Sequence, residues 1–211
     1  ITDEEVLVKD LVERIKSRQS PNGAWKVYPD EDKGNLSATI EGYFSLLYSG
    51  YVAEEASYMR KAERFIRENG GLAKSDWLTK MMLAITGQII WPSIIKIIPI
   101  EIMLLPKWSP ITIYQLVGYA RAHWIPILIC SNLNISFVTP QTPNISPLQE
   151  RISDSENERI LEEMQNLKLY FKNALEKLSE SPEVLKQKAF IKAEDYIIER
   201  IEENGTMYSY F

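Results

Sequence analysis

The chain has 211 residues, 45% hydrophobic and 25% charged, with a net charge of -5. That length fits one domain or one large piece of a bigger protein, and the negative balance argues against nucleic acid as a partner. The sole histidine, His123, excludes a histidine triad or a multi-histidine metal site within the chain.

Thr2 with Glu5 forms a capping box, and Val6, Leu7, Leu11, Val12 and Ile15 follow at helical spacing. This helix is predicted to end near Arg18, because Pro21 and Asn22-Gly23 make a turn. Further helices are predicted over about 38–48, 54–68 and 77–86, stopped by Gly50, Gly70-Gly71 and Gly87. The stretch 89–110 is almost wholly aliphatic, yet Pro92, Pro99, Pro106 and Pro110 interrupt it, with Lys96 and Glu101 inside. Prolines at that density argue against a membrane-spanning helix. Two readings stand: an irregular apolar segment packed in the protein, or a shallow lipid-facing surface.

A helix over 111–129, bent or broken at Pro126, comes next, and then an uncharged loop or linker over 132–147. Ser153 with Glu156 caps a long helix through Leu178. Ser181-Pro182-Glu183 opens a last helix that Asn204-Gly205 ends. No segment alternates with period two, so the fold class is all-α. Cys130, beside the apolar run 125–129, is expected to be a buried, reduced thiol, which fits the cytoplasm. The chain opens at Ile1 without a basic-then-apolar leader and stops at Phe211 in what reads as the middle of an element. Both ends are expected to be cut, within a single helical domain over 1–211.

Gln19, Gly23 and Trp25 lie between two amphipathic segments, followed by Tyr28-Pro29 and Asn35-Leu36-Ser37-Ala38-Thr39-Ile40-Glu41-Gly42-Tyr43. With the blocks at 59–66, Gly70-Gly71-Leu72, 77–84, Trp91-Pro92, 101–106 and Tyr119-Ala120-Arg121, this pattern resembles the squalene-hopene cyclases, class II triterpene cyclases. Tyr28-Pro29-Asp30-Glu31 and Asn204-Gly205-Thr206-Met207 favour the sporulenol-synthase-like branch, which takes a C35 polyprene. The likeness covers about 11–125 and returns over 189–211. It implies an α/α toroid and about a third of a two-domain enzyme. A polyprenyl hydrocarbon of C30 or C35 would be the substrate, with no metal or organic cofactor. The Asp-x-Asp-Asp acid would belong to the other domain of the same polypeptide, leaving this chain inactive alone. Residues 89–110 would then face either the substrate entrance or the membrane, as a peripheral contact on the inner face of the cell membrane. The rival expectation is a non-enzymatic helical module that binds lipid or protein.

The glutamine-glycine-tryptophan unit has a local physical meaning. Gln19 is expected to satisfy free amide groups at a neighbouring helix start, Gly23 to give the tight turn, and Trp25 to lie flat over the junction with its N–H bonded. A second copy near Gly205 is degenerate, with Ile201 at the glutamine place and Met207 at the tryptophan place.

No catalytic residue is expected here. Asp30-Glu31-Asp32-Lys33 is the nearest match to the acid motif, but it falls in a solvated turn where carboxylates stay anionic. Asp154-Ser155-Glu156-Asn157-Glu158 reads as a helix cap, not a Mg2+ site, and Glu68-Asn69-Gly70-Gly71 lacks the Lys-Ser/Thr of a phosphate loop. By resemblance, Glu41, Leu78, Met82 and Tyr119 would line the substrate cavity. Tyr119 and Met82 stand at family tryptophans, Leu78 at a phenylalanine of some members, and Asp76 at a family arginine. An aromatic face stabilises a developing carbocation, so these exchanges imply fewer ring closures or a different polyprene. The plainer reading of each is a core residue at helical spacing or, for Glu41, an exposed carboxylate. Arg121 is expected to pair with a carboxylate, and His123 to be a hydrogen-bonded structural residue.

Overall fold

The computed structural model describes residues 3–109, 112–149, 165–166, 168–175 and 181–207. The expected Ser153–Glu156 cap, the acidic run 154–158, Leu178 and the last four residues lie outside them. The chain divides into two compact units, Ile1–Ile90 with Phe137–Ile152, and Trp91–Ser136 with Ser153–Phe211.

The described residues of the first unit include the α-helices α1 (Asp3–Ser17), α2 (Leu36–Tyr48), α3 (Ser57–Glu68) and α4 (Trp77–Ile85). α2 starts two residues before its predicted position because Asn35 caps it, its side chain accepting from Ala38 N at 2.9 Å. α3 starts three residues late, since residues 53–56 form a separate turn closed by Ala56 N to Ala53 O. Gly71 N returns to Ile66 O at 2.9 Å and so satisfies a carbonyl at the end of α3. The core of the unit joins Val12, Trp25, Ile40, Leu46, Met59 and Ile66.

In the second unit a short helix α5 (Ser93–Lys96) and two 3-10 turns (Ile100–Leu104 and Ile113–Gln115) precede α6 (Gly118–Leu133) and α7 (Pro182–Ile198). Residues 168–175 are also helical. α6 begins seven residues later than expected and is not broken at Pro126, ending at Asn134 in the left-handed region (φ 53°). Residues 89–109 are irregular: Ile95, Ile100, Ile102, Met103 and Leu105 are buried, while Ile90 and Trp108 are exposed. Asn132 stitches this stretch to α6, accepting from Ile100 N (3.1 Å) while donating to Ile98 O and Leu128 O (3.0 Å each). Among the described residues no helix is long and apolar enough to cross a membrane.

The predicted end of the last helix is corrected. α7 stops at Ile198, and the chain unwinds through Arg200 N to Ile197 O and Ile201 N to Ile198 O. Asn204-Gly205 instead form the tip of a tight turn closed by an Ile201–Met207 bridge. An Asn-Gly pair serves either purpose, because both need positive φ. The described residues form helices and turns with two isolated bridges, an all-α fold of the α/α-toroid type.

Candidate functional site

After α1 the chain reverses between Ser20 and Ala24. Ser20 N donates to Ala24 O (2.8 Å), Gly23 N to Ser20 O (2.9 Å), and Ala24 N to Asn22 Oδ1 (3.2 Å). Gly23 is required twice over. Its φ is 91°, and a Cβ there would stand 2.4 Å from the carbonyl carbon of Lys61 in α3. The Trp25 ring, 6% exposed, lies over Gly42 of α2, where a Cβ would meet it at 3.1 Å. Its indole N–H donates to Ile15 O (2.7 Å), a carbonyl near the end of α1 that also accepts from Arg18 N (3.1 Å), and its backbone N donates to Thr39 Oγ1 (3.0 Å). One side chain thereby fastens α1 to α2.

The expectation for Gln19 has the wrong polarity. Its Nε2 donates to Gly23 O and to Tyr58 O in the first turn of α3, both at 2.9 Å, so it serves carbonyls, not helix amides. Both neighbours are acceptors, and that fixes which end of the amide faces them. Gln19→Glu is therefore expected to be strongly destabilising near neutral pH, since a carboxylate would face two carbonyls. That arrangement favours the protonated acid, raising its folded pKa above the unfolded value of about 4.3. The variant's stability should be greatest below that value and fall as pH rises through the folded pKa, a trend absent from the parent in urea titrations.

The turn near Gly205 repeats this backbone. Glu202 N donates to Thr206 O, Gly205 N to Glu202 O, and Thr206 N to Asn204 Oδ1, all at 2.8 Å, with Gly205 at φ 81°.

Two of the residues expected to line a cavity, Leu78 and Met82, stand one turn apart on α4 and so share a face. Leu78 is 46% exposed, and Met82 packs at the margin of the first unit's core. The third, Glu41 on α2, is partly buried, its Oε1 accepting from Thr79 Oγ1 at 2.5 Å. Thr79 is fully buried, and its backbone N donates to Asp76 Oδ1 (2.9 Å); Asp76 N in turn donates to Ser37 Oγ (2.8 Å). Asp76 thus caps α4 and joins a polar chain between two helix starts. Sequence reasoning missed Thr79 and Ser37. The signal available was a hydroxyl residue three places after the capping aspartate.

Partial burial pushes the Asp76 carboxyl up, but hydrogen bonds from Thr79, Ser37 and Leu78 outweigh it and hold the group below its ordinary range. A depressed carboxyl pKa contributes stability that is present above the unfolded value of about 4 and lost as pH falls through the folded value. Asp76→Asn keeps a capping acceptor, so little loss is expected at neutral pH. Urea midpoints measured down the acid limb should fall less steeply in that variant than in the parent.

The fourth candidate, Tyr119, belongs to the second unit, in the first turn of α6, and is 56% exposed. Its carbonyl is bonded by His123 Nδ1 (2.7 Å), so the histidine is hydrogen-bonded as expected, though exposed. Arg121 is corrected. Its Nη1 donates to Leu116 O (2.6 Å) and Tyr114 O (3.3 Å), and its Nε reaches Tyr196 Oη (3.4 Å), so it holds open carbonyls ahead of α6 in place of a carboxylate. Cys130 is free but only half-buried, and burial pushes its thiol up. Glu31 accepts from Val27 N (2.9 Å) and Asn35 Nδ2 (3.4 Å), a turn-building role, while Asp30 and Asp32 are exposed. Among the described residues no cluster of three or more His, Cys, Asp or Glu could hold a metal ion.

The family described as squalene-hopene cyclase N-terminal domain matches residues 1–211. The chain belongs to that family. Sporulenol synthase of Bacillus subtilis is 35% identical over 99% of this chain and 33% of its own length. A squalene–hopene cyclase of Alicyclobacillus acidocaldarius is 34% identical over 67% of this chain and 23% of its own. A probable squalene–hopene cyclase of Sinorhizobium fredii is 32% identical over 68% and 22%. The chain thus spans a third or less of these curated relatives, as the N-terminal domain of a terpene-cyclase family.

Proposed function

We propose that this chain is one wall of an apolar chamber in which a linear C30 or C35 polyprene is cyclised. A carboxylic acid on a further domain of the same polypeptide would protonate a terminal alkene. The observation that carries this reading is a single carboxylate, Glu41, fixed by a buried hydroxyl beside a helix that turns Leu78 outward. A cation that develops in a dry chamber is stabilised by fixed negative groups and by aromatic faces. Glu41 supplies the first. Leu78 and Met82 offer no π-face, which favours a cascade with fewer closures. The proton would come from the further domain, so the chain alone should return its substrate unchanged. A hydrocarbon of that size arrives from lipid, and the exposed Trp108 would meet the inner leaflet.

The test is to incubate a polypeptide that carries this chain ahead of an Asp-x-Asp-Asp domain with squalene and with longer polyprenes. Products are then separated by gas chromatography and mass spectrometry. Cyclised product is expected, reduced by Glu41→Gln and by Thr79→Val. No cyclisation of any polyprene, with the acid motif intact, overturns the reading. The exposed Trp108 would also suit a non-enzymatic lipid-binding module, which the same assay separates because it predicts binding without turnover.

A further inference from the structure

The hydrogen bonds between α2 and α4 close a four-cornered frame. Ser37 and Glu41 stand one turn apart on α2, and Asp76 caps α4 three residues before Thr79. Asp76 N donates to Ser37 Oγ (2.8 Å), Thr79 N to Asp76 Oδ1 (2.9 Å), and Thr79 Oγ1 to Glu41 Oε1 (2.5 Å). Ser37 and Thr79 are buried, so a partner lost inside the frame is costly. Among the described residues Thr79 is the one hydrogen-bond partner of the Glu41 carboxylate. Ordering a long side chain costs about as much as one charge-assisted bond returns, so Glu41 stays aimed only while Thr79 is held. The Thr79 hydroxyl also lies in reach of the Asp76 carboxylate, but its single proton serves Glu41. Asp76 acts instead through the Thr79 backbone.

From this frame we infer that Asp76 is a positioning residue for Glu41. Anchored on Ser37, it fixes the first turn of α4 so that the Thr79 hydroxyl aims the Glu41 carboxylate, and that aim decides how many rings the cascade closes. The ring count rests on the reading above, in which Glu41 faces the developing cation; the aim of Glu41 rests on the hydrogen bonds alone. The effect falls on the product and not only on the rate. A cation left without its counter-charge loses a proton from the adjacent carbon to water before the next ring forms. That C–H pair becomes the new double bond, and a partly cyclised alkene is released.

Carbon-13 NMR of the chain, labelled at the glutamate side-chain carboxyl, tests the aim, with the Glu41 signal assigned by Glu41→Gln. Asp76→Asn keeps an acceptor for Thr79 N and should leave the signal at the parent position. Asp76→Ala should move it to where Thr79→Val puts it. Should Asp76→Ala fail to fold, Ser37→Ala removes the anchor, keeps the cap, and should give the same move. The ring count is read in a polypeptide that carries this chain ahead of an Asp-x-Asp-Asp domain. There the ratio of fully to partly cyclised product should fall about tenfold or more in Asp76→Ala and stay near the parent's in Asp76→Asn. The amount of folded enzyme does not alter that ratio. An unmoved signal in Asp76→Ala, or a move away from the Thr79→Val position as a released hydroxyl would give, overturns the inference. So does an unchanged product ratio. Signal shifts as expected with no cyclised product reject the catalytic reading and the ring count with it, while the aim of Glu41 stands.

Discussion

Truncation of Trp25 to alanine is expected to lower the unfolding free energy by about 3–5 kcal/mol, the range for removing a large buried aromatic. Three effects add. A cavity opens between α1 and α2, the face of Gly42 loses its cover, and Ile15 O loses the indole donor. Trp25→Phe isolates the last of these, since a phenyl ring keeps much of the packing but cannot donate. Its cost should be nearer 1 kcal/mol, the net worth of one hydrogen bond, plus a smaller packing loss. Urea titrations followed by far-ultraviolet circular dichroism, with an unchanged slope, would measure both. If the two variants proved equally destabilising, the hydrogen bond and not the packing would carry the joint.

Gly23→Ala is the second large effect. A left-handed backbone costs an L-residue about 1–2 kcal/mol. The methyl group must also fit 2.4 Å from the Lys61 carbonyl carbon, where the obstacle is helix backbone and cannot rotate away. Forced overpacking adds about 1–3 kcal/mol, for a total of about 2–5. Gly205→Ala in the same chain should show the conformational cost alone, because the added methyl group meets nothing within 4 Å among the described residues. The difference between the two midpoints therefore reads out the contact with α3 directly. Similar losses at both glycines would mean that α3 gives way and that the approach at Gly23 is not rigid.

Local features were legible in the sequence, and features that depend on distant packing were not. Gln19, Gly23 and Trp25 could be placed because turn, glycine and indole act within one loop. The partner of Gln19 could not, since Tyr58 lies 39 positions away and only the fold shows that it presents a carbonyl. Helix starts moved for two reasons: the Asn35 side chain pulled α2 forward, and a backbone turn over residues 53–56 delayed α3. The end of α7 was misplaced because Asn-Gly marks a helix stop and a turn tip with the same two letters. Of the residues expected to line a cavity, Glu41 gained its meaning only from Thr79, whose hydroxyl reaches it across two helices. Arg121 was assigned a carboxylate by habit of charge, whereas the carbonyls left open before α6 offered it nearer acceptors.

Asn132 has a mechanical consequence for the segment it holds. A chain broken by four prolines cannot close a helical ladder, and a slack rope of aliphatic residues would let water in along its main chain. With one amide gripping Ile98 and Ile100 at once, that rope is cleated to a rigid spar and can bear load sideways without fraying.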